Sequence, residues 1–308
     1  MNLNMDKIAT KIKYSVNNLD DKLKENYISA LKDETFKKIV KKLHISEEVT
    51  LKNTSKLKNT CKQLKNCKNC KSLLECKNEI NGFVLYPEIC NDNLIFSYIA
   101  CKHKKKFIKD NSYLDNIYSF DIPKDIVNAK MKNIYTDDKN RIETIKWIKD
   151  FILNYNPNKK TKGLYLHGSF GCGKTYLISA CFNELAKKGV KSAIIYWPEY
   201  LRSLKASFDS DFSSKFDNIK EVELLLIDDI GAENTTAWAR DEILGPILQY
   251  RMLEHLPTFF TSNLSLKDLE THFSITNNSV DIVKARRIME RIKELSCEIK
   301  MVSENRRN

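Results

Sequence analysis

The length and composition of the chain exclude several classes of protein. With 308 residues, 42% of them hydrophobic and 30% charged, it is too long for a single small module and predicts about two domains. It contains no run of the ~18 apolar residues that a membrane-spanning helix needs. The first 20 residues lack the apolar core of a secretion signal, so we expect a cytoplasmic protein without a membrane partner.

The net charge of +12 is concentrated in the first half of the chain. Residues 1–160 hold 32 Lys and Arg against 20 Asp and Glu, whereas residues 161–308 hold 20 of each. Residues 51–109 alone hold 13 basic and 4 acidic residues. Such a segment favours a polyanion partner. The alternative is a compositional bias toward lysine on a solvated face.

The first half predicts helices followed by a small irregular fold. Apolar residues recur at helical intervals from Lys7 to Leu51, which predicts two or three amphipathic helices. Residues 61–101 are irregular, with strand-like pieces at Gly82–Tyr86 and Leu94–Ala100. We therefore expect an N-terminal domain over residues 1–110.

Six of the nine cysteines lie within this predicted domain, between residues 61 and 101. Reducing conditions disfavour disulfides, and a C-x2-C spacing lets a tight turn present two thiolates to one metal ion. We predict a closed, structural Zn²⁺ site, with His103 as the alternative to one of its four ligands. The predicted ligands are Cys67, Cys70, Cys76 and Cys101. Reduced cysteines without a metal are the alternative.

The second half alternates strand and helix patterns, which predicts an α/β fold with a parallel sheet and flanking helices. A polar linker over residues 111–138 is expected to lead into this domain, residues 139–308. The predicted strands are Gly163–His167, Val190–Trp197, Glu223–Asp228, Pro257–Thr261 and Cys297–Val302. The predicted helices are Arg141–Tyr155, Lys174–Lys188, Pro198–Phe208, Thr235–Leu253 and two short ones before the last strand. Cys181 and Cys297 are expected in the core.

Residues 168–175 fit the phosphate-loop pattern G-x-x-x-x-G-K-[ST], between a predicted strand and a predicted helix. Glycines let backbone N–H groups point toward a phosphate, and the helix adds its positive end. Lys174 is expected to reach the β- and γ-phosphates of ATP, and Thr175 to bind Mg²⁺. The expected loop residues are Gly168, Ser169, Phe170, Gly171, Cys172, Gly173, Lys174 and Thr175.

Two acids, Asp228 and Asp229, follow the apolar run Leu224–Ile227. The carboxyl end of a buried parallel strand lies beside the phosphate loop in an open sheet. Asp228 is expected to hold Mg²⁺ through water, and Asp229 to orient or deprotonate the attacking water. The alternative is a solvated strand end.

Asn263 and Arg291 complete the predicted catalytic set. Asn263 follows the next strand and is expected to hold the attacking water or the γ-phosphate, although an Asn at this position is often a turn residue. Arg291 and Arg287 share one face of a predicted helix. One arginine of this helix, among Arg286, Arg287 and Arg291, is expected to act as an arginine finger on a neighbour's γ-phosphate; the alternative is a solvated face with Glu290 and Glu294 as partners.

The chain carries four motifs in order: the phosphate loop, the strand ending in Asp228 and Asp229, the strand followed by Asn263, and the arginine-containing helix. This order resembles an AAA+ P-loop ATPase. The run L-L-L-I-D-D-I-G-A-E at residues 224–233, followed by T-S-N and A-R-R-I-M-E-R-I, resembles the bacterial helicase loaders of the DnaI/DnaC type. The segments C-K-N-C and C-K-H resemble the DnaI branch of that family. The resemblance covers roughly residues 60–308.

The resemblance implies an ATP-hydrolysing protein that binds the DnaB-type replicative helicase, helps place it on single-stranded DNA and works with other primosome proteins. It implies that the zinc domain contacts the helicase and that subunits associate through Arg291. Many relatives have Glu where Asp229 stands, so the rate of hydrolysis stays open; slow turnover would suit a nucleotide switch. Whether Arg306 or Arg307 acts as a second sensor arginine stays open. Two other functions stay open as well: a transposition helper ATPase, and a non-hydrolysing, ATP-binding nucleic-acid adaptor.

Overall fold

The computed structural model describes residues 21–91, 93–207, 211–276 and 279–306. Contacts between residues divide the chain into two units, 1–111 and 112–308. The helical pattern predicted before residue 21 and the arginine at position 307 lie outside the described residues. Where the chain is described, none of its helices combines the length and apolarity needed to cross a membrane.

Capped helices open the first unit. Helical residues 21–30 are followed by three helices, α1 Glu34–Leu43, α2 Glu47–Lys52 and α3 Thr54–Lys68. The Asp33 and Ser46 side chains accept hydrogen bonds from backbone N–H groups in the first turns of α1 and α2, which stabilises the helix starts. The helices bury a small core of Ala30, Phe36, Ile39, Leu57 and Cys61.

A hairpin and a basic helix complete this unit. Strands β1 Phe83–Cys90 and β2 Asn93–Ala100 pair antiparallel, which confirms both predicted strands and extends the first one. Helix α4 follows at Lys102–Asn111. The irregular segment predicted from residue 61 begins later, because α3 continues to Lys68 and carries both Cys61 and Cys67.

Six parallel strands form the central sheet of the second unit, in the order β10-β4-β7-β6-β5-β3. Alternate residues of each buried strand enter hydrophobic clusters on opposite faces: Leu225 and Ile227 belong to one cluster, Leu224 and Leu226 to the other. The strands are β3 Ile117–Phe120, β4 Gly163–Gly168, β5 Ser192–Tyr196, β6 Leu224–Asp228, β7 Thr258–Ser262 and β10 Ser296–Met301. Strands β8 Ile275–Thr276 and β9 Ser279–Val280 form a separate short ladder.

Helices flank this sheet, as the predicted α/β fold requires. They are α5 Lys124–Val127, α6 Ile142–Asn154, α7 Lys174–Ala186, α8 Trp197–Ala206, α9 Phe212–Glu221, α10 Gly245–Leu253, α11 Leu266–Ser274 and α12 Ile282–Leu295. A π-helical turn, Trp238–Leu244, runs directly into α10. It occupies the start of the helix predicted from Thr235.

Three features of the second unit differ from the sequence-based expectations. Residues 111–138, expected to be a linker, contain β3, which pairs with β5 at the edge of the sheet; four residues are too few for a periodic pattern. Helix α9 was not predicted, although Phe212, Phe216 and Ile219 follow helical spacing. Cys181 is buried as expected, but Cys297 is exposed because β10 is the other edge strand.

Candidate nucleotide-binding site

The phosphate loop joins the end of β4 to the start of α7. Gly168, Gly171 and Gly173 have φ angles of 140°, 69° and 89°, a backbone region that favours glycine. A Cβ atom on Gly168 would collide with the carbonyl oxygen of Met301. The glycine spacing seen in the sequence is therefore required by the backbone path of this loop.

Lys174 lies under the loop that precedes it. Its Nζ donates hydrogen bonds to the carbonyl oxygens of Gly168 at 3.1 Å and Ser169 at 2.8 Å, and to Asn263 Oδ1 at 2.8 Å. The side chain is largely buried. The ammonium group is thus positioned by the loop and by the end of β7, where an anion in the loop would contact it.

Asp228 accepts hydrogen bonds from two hydroxyl groups at the carboxyl end of the sheet. Thr175 Oγ1 and Thr261 Oγ1 each donate to Asp228 Oδ1 at 2.6 Å. Burial raises the pKa of the Asp228 carboxyl, and the two hydroxyl hydrogen bonds act in the opposite direction. Hydroxyl and carboxylate oxygens are the ligands that Mg²⁺ prefers, so Thr175 and Asp228 fit the predicted metal role.

Asp229 turns away from the strand that precedes it, with a φ angle of 58°, a conformation that Asp tolerates better than most residues. Its backbone N–H donates to Thr261 Oγ1 at 2.9 Å. Asn263 Nδ2 donates to Asp229 Oδ1 at 3.3 Å. Asn263 therefore links the predicted catalytic acid to the lysine of the phosphate loop.

These side chains line a cavity of about 670 Å³, a size typical of small-molecule sites. Eight of the predicted residues border it: Phe170, Gly171, Gly173, Lys174, Thr175, Asp228, Asp229 and Asn263. Cys172 is buried beneath the loop and donates to the carbonyl oxygen of Ser169. The structure thus brings the phosphate loop, the acid pair and the predicted sensor to one cavity.

Several lining residues were not assigned from the sequence. Thr261 belongs to a polar strand end that was visible in the sequence, but only its neighbour Asn263 received a role. Arg141 and Tyr135 come from the segment expected to be linker or helix start. Arg306, which the sequence left open as a second sensor arginine, also lines the cavity. Its backbone N–H donates to Gly171 O at 2.9 Å, and its guanidinium lies 4.8 Å from the Tyr135 ring centre.

Arg291 does not line this cavity. Its Nη1 donates to the carbonyl oxygen of Gly245 at 3.0 Å, and it borders a separate surface depression with Arg286 and Arg287. Burial and the charge of Arg287 lower the pKa of Arg291. The glutamates that we considered as arginine partners pair with lysines instead: Glu290 with Lys293, and Glu294 with Lys160 and Lys162.

The predicted zinc ligands border one small cavity of about 200 Å³ in the first unit, together with His103. Cys67 Sγ accepts a hydrogen bond from Asn78 Nδ2 at 3.3 Å, and Cys76 Sγ accepts one from the Gly82 backbone at 3.2 Å. In the part of the chain that is described, no three His, Cys, Asp or Glu side chains form a group that could hold a metal ion as they stand.

The fold and the site define a P-loop ATPase domain of the AAA+ class, with a parallel sheet, a phosphate loop after one strand and an acid pair after another. The family model of the bacterial DnaA ATPase domain matches residues 144–248. A DnaA protein of Citrifermentans bemidjiense is 36% identical over 83 residues, which cover 25% of this chain and 16% of that protein.

Longer similarities identify the family. The replicative helicase loader DnaI of Bacillus subtilis strain 168 is 40% identical over 213 residues, which cover 68% of each chain. A crystal structure of DnaI superposes with a TM-score of 0.57 and 47% identity, covering 64% of this chain and all of that one. The chain belongs to the family of the replicative helicase loader DnaI.

Proposed function

We propose that this protein loads the replicative helicase onto DNA at the initiation of replication, and that ATP drives or switches this activity. The similarity to DnaI over 68% of each chain is the observation that supports the loading role. The cavity where Lys174, Thr175 and Asp228 meet supports the use of a nucleotide. The same similarity favours the loader over a transposition helper and over a non-hydrolysing adaptor.

ATP binds with its phosphates at the backbone N–H groups of residues 168–175 and at the Lys174 ammonium. Thr175 and Asp228 hold Mg²⁺, which when bound offsets the charge of the phosphates. Asp229 orients the attacking water and accepts its proton, and Asn263 holds Asp229 in place through the 3.3 Å hydrogen bond. Asp is shorter than Glu, which supports slow hydrolysis suited to a switch.

Subunit association completes the ATPase in this proposal. Arg291 borders a surface depression away from its own nucleotide cavity, as a residue that acts on a neighbour's γ-phosphate must. Its hydrogen bond to Gly245 fixes the side chain near the surface. Such a finger contributes roughly 10³ to 10⁵ to the rate in other phosphoryl-transfer systems.

The first unit contacts the helicase and holds a structural Zn²⁺ ion. Support comes from four cysteines and His103 at one cavity, in a unit whose hydrophobic core has few residues and would gain stability from a metal. Single-stranded DNA is the polyanion that the positive charge of residues 51–109 contacts. The protein acts in the cytoplasm with other primosome proteins.

A pull-down with the replicative helicase from the same organism tests this proposal. We expect the full chain to retain helicase with ATP and Mg²⁺ and to retain less with ADP. The Lys174→Ala variant should lose this nucleotide dependence. Absence of helicase binding under all nucleotide conditions would contradict the loading role. Association with a transposase instead, or steeply salt-dependent DNA binding alone, would favour the helper or the adaptor.

A further inference from the structure

Arg141 is a buried cation beside the phosphate loop, in the turn before α6. Its side chain is 2% exposed, and it lines the nucleotide cavity. A Cβ atom on Gly173 would lie 3.5 Å from Arg141 Nη2, so the guanidinium is packed against the loop. Its Nε and Nη1 atoms are buried and have no hydrogen-bond partner among the described residues.

The surroundings offset this charge only in part and give its Nε and Nη1 atoms no hydrogen-bond acceptor. Burial lowers the pKa of Arg141, and the positive charge of Arg306 lowers it further. The nearby carboxylate of Asp137 is engaged by Arg306, whose Nη2 donates to it at 2.8 Å. A buried charge without hydrogen-bonded partners is unfavourable. Asp137 and Asp138 act in the opposite direction on the Arg141 pKa, but neither accepts a hydrogen bond from its Nε or Nη1.

Two other buried arginines, Arg251 and Arg240, have structural roles, and their hydrogen bonds provide a comparison for Arg141. Arg251 is fully buried and donates to the carbonyl oxygens of Val222 and Pro257, at 2.7 and 2.9 Å, among others. Arg240 pairs with the adjacent carboxylate of Asp241 at 2.7 Å. Both connect elements of the fold through satisfied hydrogen bonds, and Arg141 does not.

We propose that Arg141 binds the phosphate chain of the nucleotide directly, as a second cation in addition to Lys174. This inference rests on the proposed nucleotide function of the cavity. Phosphate oxygens match the chemistry of the unpaired donors, because a guanidinium offers several N–H groups to an anion and stays charged when desolvated. The free protein keeps an unfavourable buried charge at position 141, and nucleotide binding relieves it.

Binding and stability measurements on the full chain test this assignment. We expect Arg141→Gln to weaken ATP binding roughly 10- to 100-fold, because a charge-assisted hydrogen bond is lost. Adenosine, which has no phosphate, should compete for the site as well as before. The melting temperature of the nucleotide-free protein should stay the same or rise, because an uncompensated charge has been removed. Arg141→Lys, which keeps the charge, should show a smaller loss of ATP affinity.

Arg202→Gln is the matched control, because Arg202 is an exposed arginine that pairs with Glu199 outside the cavity. The ATP affinity of this variant should equal that of the unchanged protein. Equal ATP affinity of Arg141→Gln and the unchanged protein would overturn the assignment. A lower melting temperature together with equal losses of affinity for ATP and for adenosine would also overturn it. So would failure of the glutamine variant to fold, because each of these results indicates that Arg141 has a structural role only. If the unchanged protein binds no ATP, the proposed nucleotide function itself fails, which is a separate result.

Discussion

Thr175, in the first turn of α7, donates a 2.6 Å hydrogen bond to Asp228 at the end of β6, although β4, which leads into α7, is not a neighbour of β6 in the sheet. Strand β7 lies between β4 and β6, and its Thr261 donates to the same carboxylate oxygen. The first turn of α7 and the end of β7 therefore fix the position of the buried carboxylate at the end of β6. Such an arrangement would hold the two proposed Mg²⁺ ligands in place before the nucleotide binds, which reduces the reorganisation that binding requires.

Replacing this carboxylate by an amide separates its structural and chemical roles. In Asp228→Asn the amide oxygen still accepts both hydroxyl hydrogen bonds, and the buried charge is removed. We expect unchanged or slightly higher thermal stability and a fall of roughly 100-fold or more in Mg²⁺-dependent ATP turnover. Phosphate release at saturating ATP and differential scanning calorimetry measure the two effects. Turnover equal to that of the unchanged protein would contradict the metal role of Asp228.

Lys174 is expected to determine nucleotide affinity. Lys174→Ala removes the ammonium that lies under the loop and should weaken ATP binding at least roughly 100-fold, because a charge-assisted contact to phosphate is lost. A titration with a fluorescent ATP analogue measures this. Lys187, an exposed lysine that pairs with Glu184 at the end of the same helix, provides the control: Lys187→Ala should bind ATP normally. Similar affinities of the two variants would exclude the phosphate role.

Arg291 is expected to affect turnover only in assemblies. Arg291→Ala should bind ATP normally, but its turnover should not rise with protein concentration as that of the unchanged chain does. The control is Arg286→Ala, in which the substituted arginine borders the same depression and pairs with Glu270; it should keep the concentration dependence.

Mixing inactive variants tests whether the finger acts between subunits. A Lys174→Ala chain retains its finger but binds ATP only weakly, whereas an Arg291→Ala chain binds ATP without supplying a finger. Together they should regain part of the activity, because some interfaces then combine an intact site with an intact arginine. Mixtures that remain as inactive as each variant alone would indicate that Arg291 acts within its own chain or only on the surface.

The parts of the site that could be predicted are those set by local sequence. Glycine spacing determines the loop at residues 168–175, and an apolar strand ending in acids places Asp228 and Asp229. Arg141 was missed because its place beside the phosphate loop, close to Gly173, is set by tertiary packing that no local pattern encodes. Likewise, the pairing of Asp137 with Arg306 joins residues 169 positions apart. Contacts of this kind arise from the packing of the whole unit.

Zinc content distinguishes a metal site from four reduced cysteines in the first unit. Cys76 borders the shared cavity, and its thiol accepts a hydrogen bond from the Gly82 backbone. Cys90 is exposed at the end of β1 and does not border that cavity. We expect about one Zn²⁺ per chain in the unchanged protein and in Cys90→Ser, and a large loss in Cys76→Ser, because structural sites need all four ligands.

Metal removal should then destabilise the two units unequally. Structural zinc contributes apparent binding energies of about 10–16 kcal/mol in small domains, and the first unit has a core of few residues. A chelator should therefore lower the melting transition of residues 21–111 while that of the nucleotide-binding unit stays in place, and added Zn²⁺ should reverse the change. Calorimetry of the full chain would resolve the two transitions. If the chelator shifts neither transition, the cysteines pack without a metal, and the proposed zinc site is wrong.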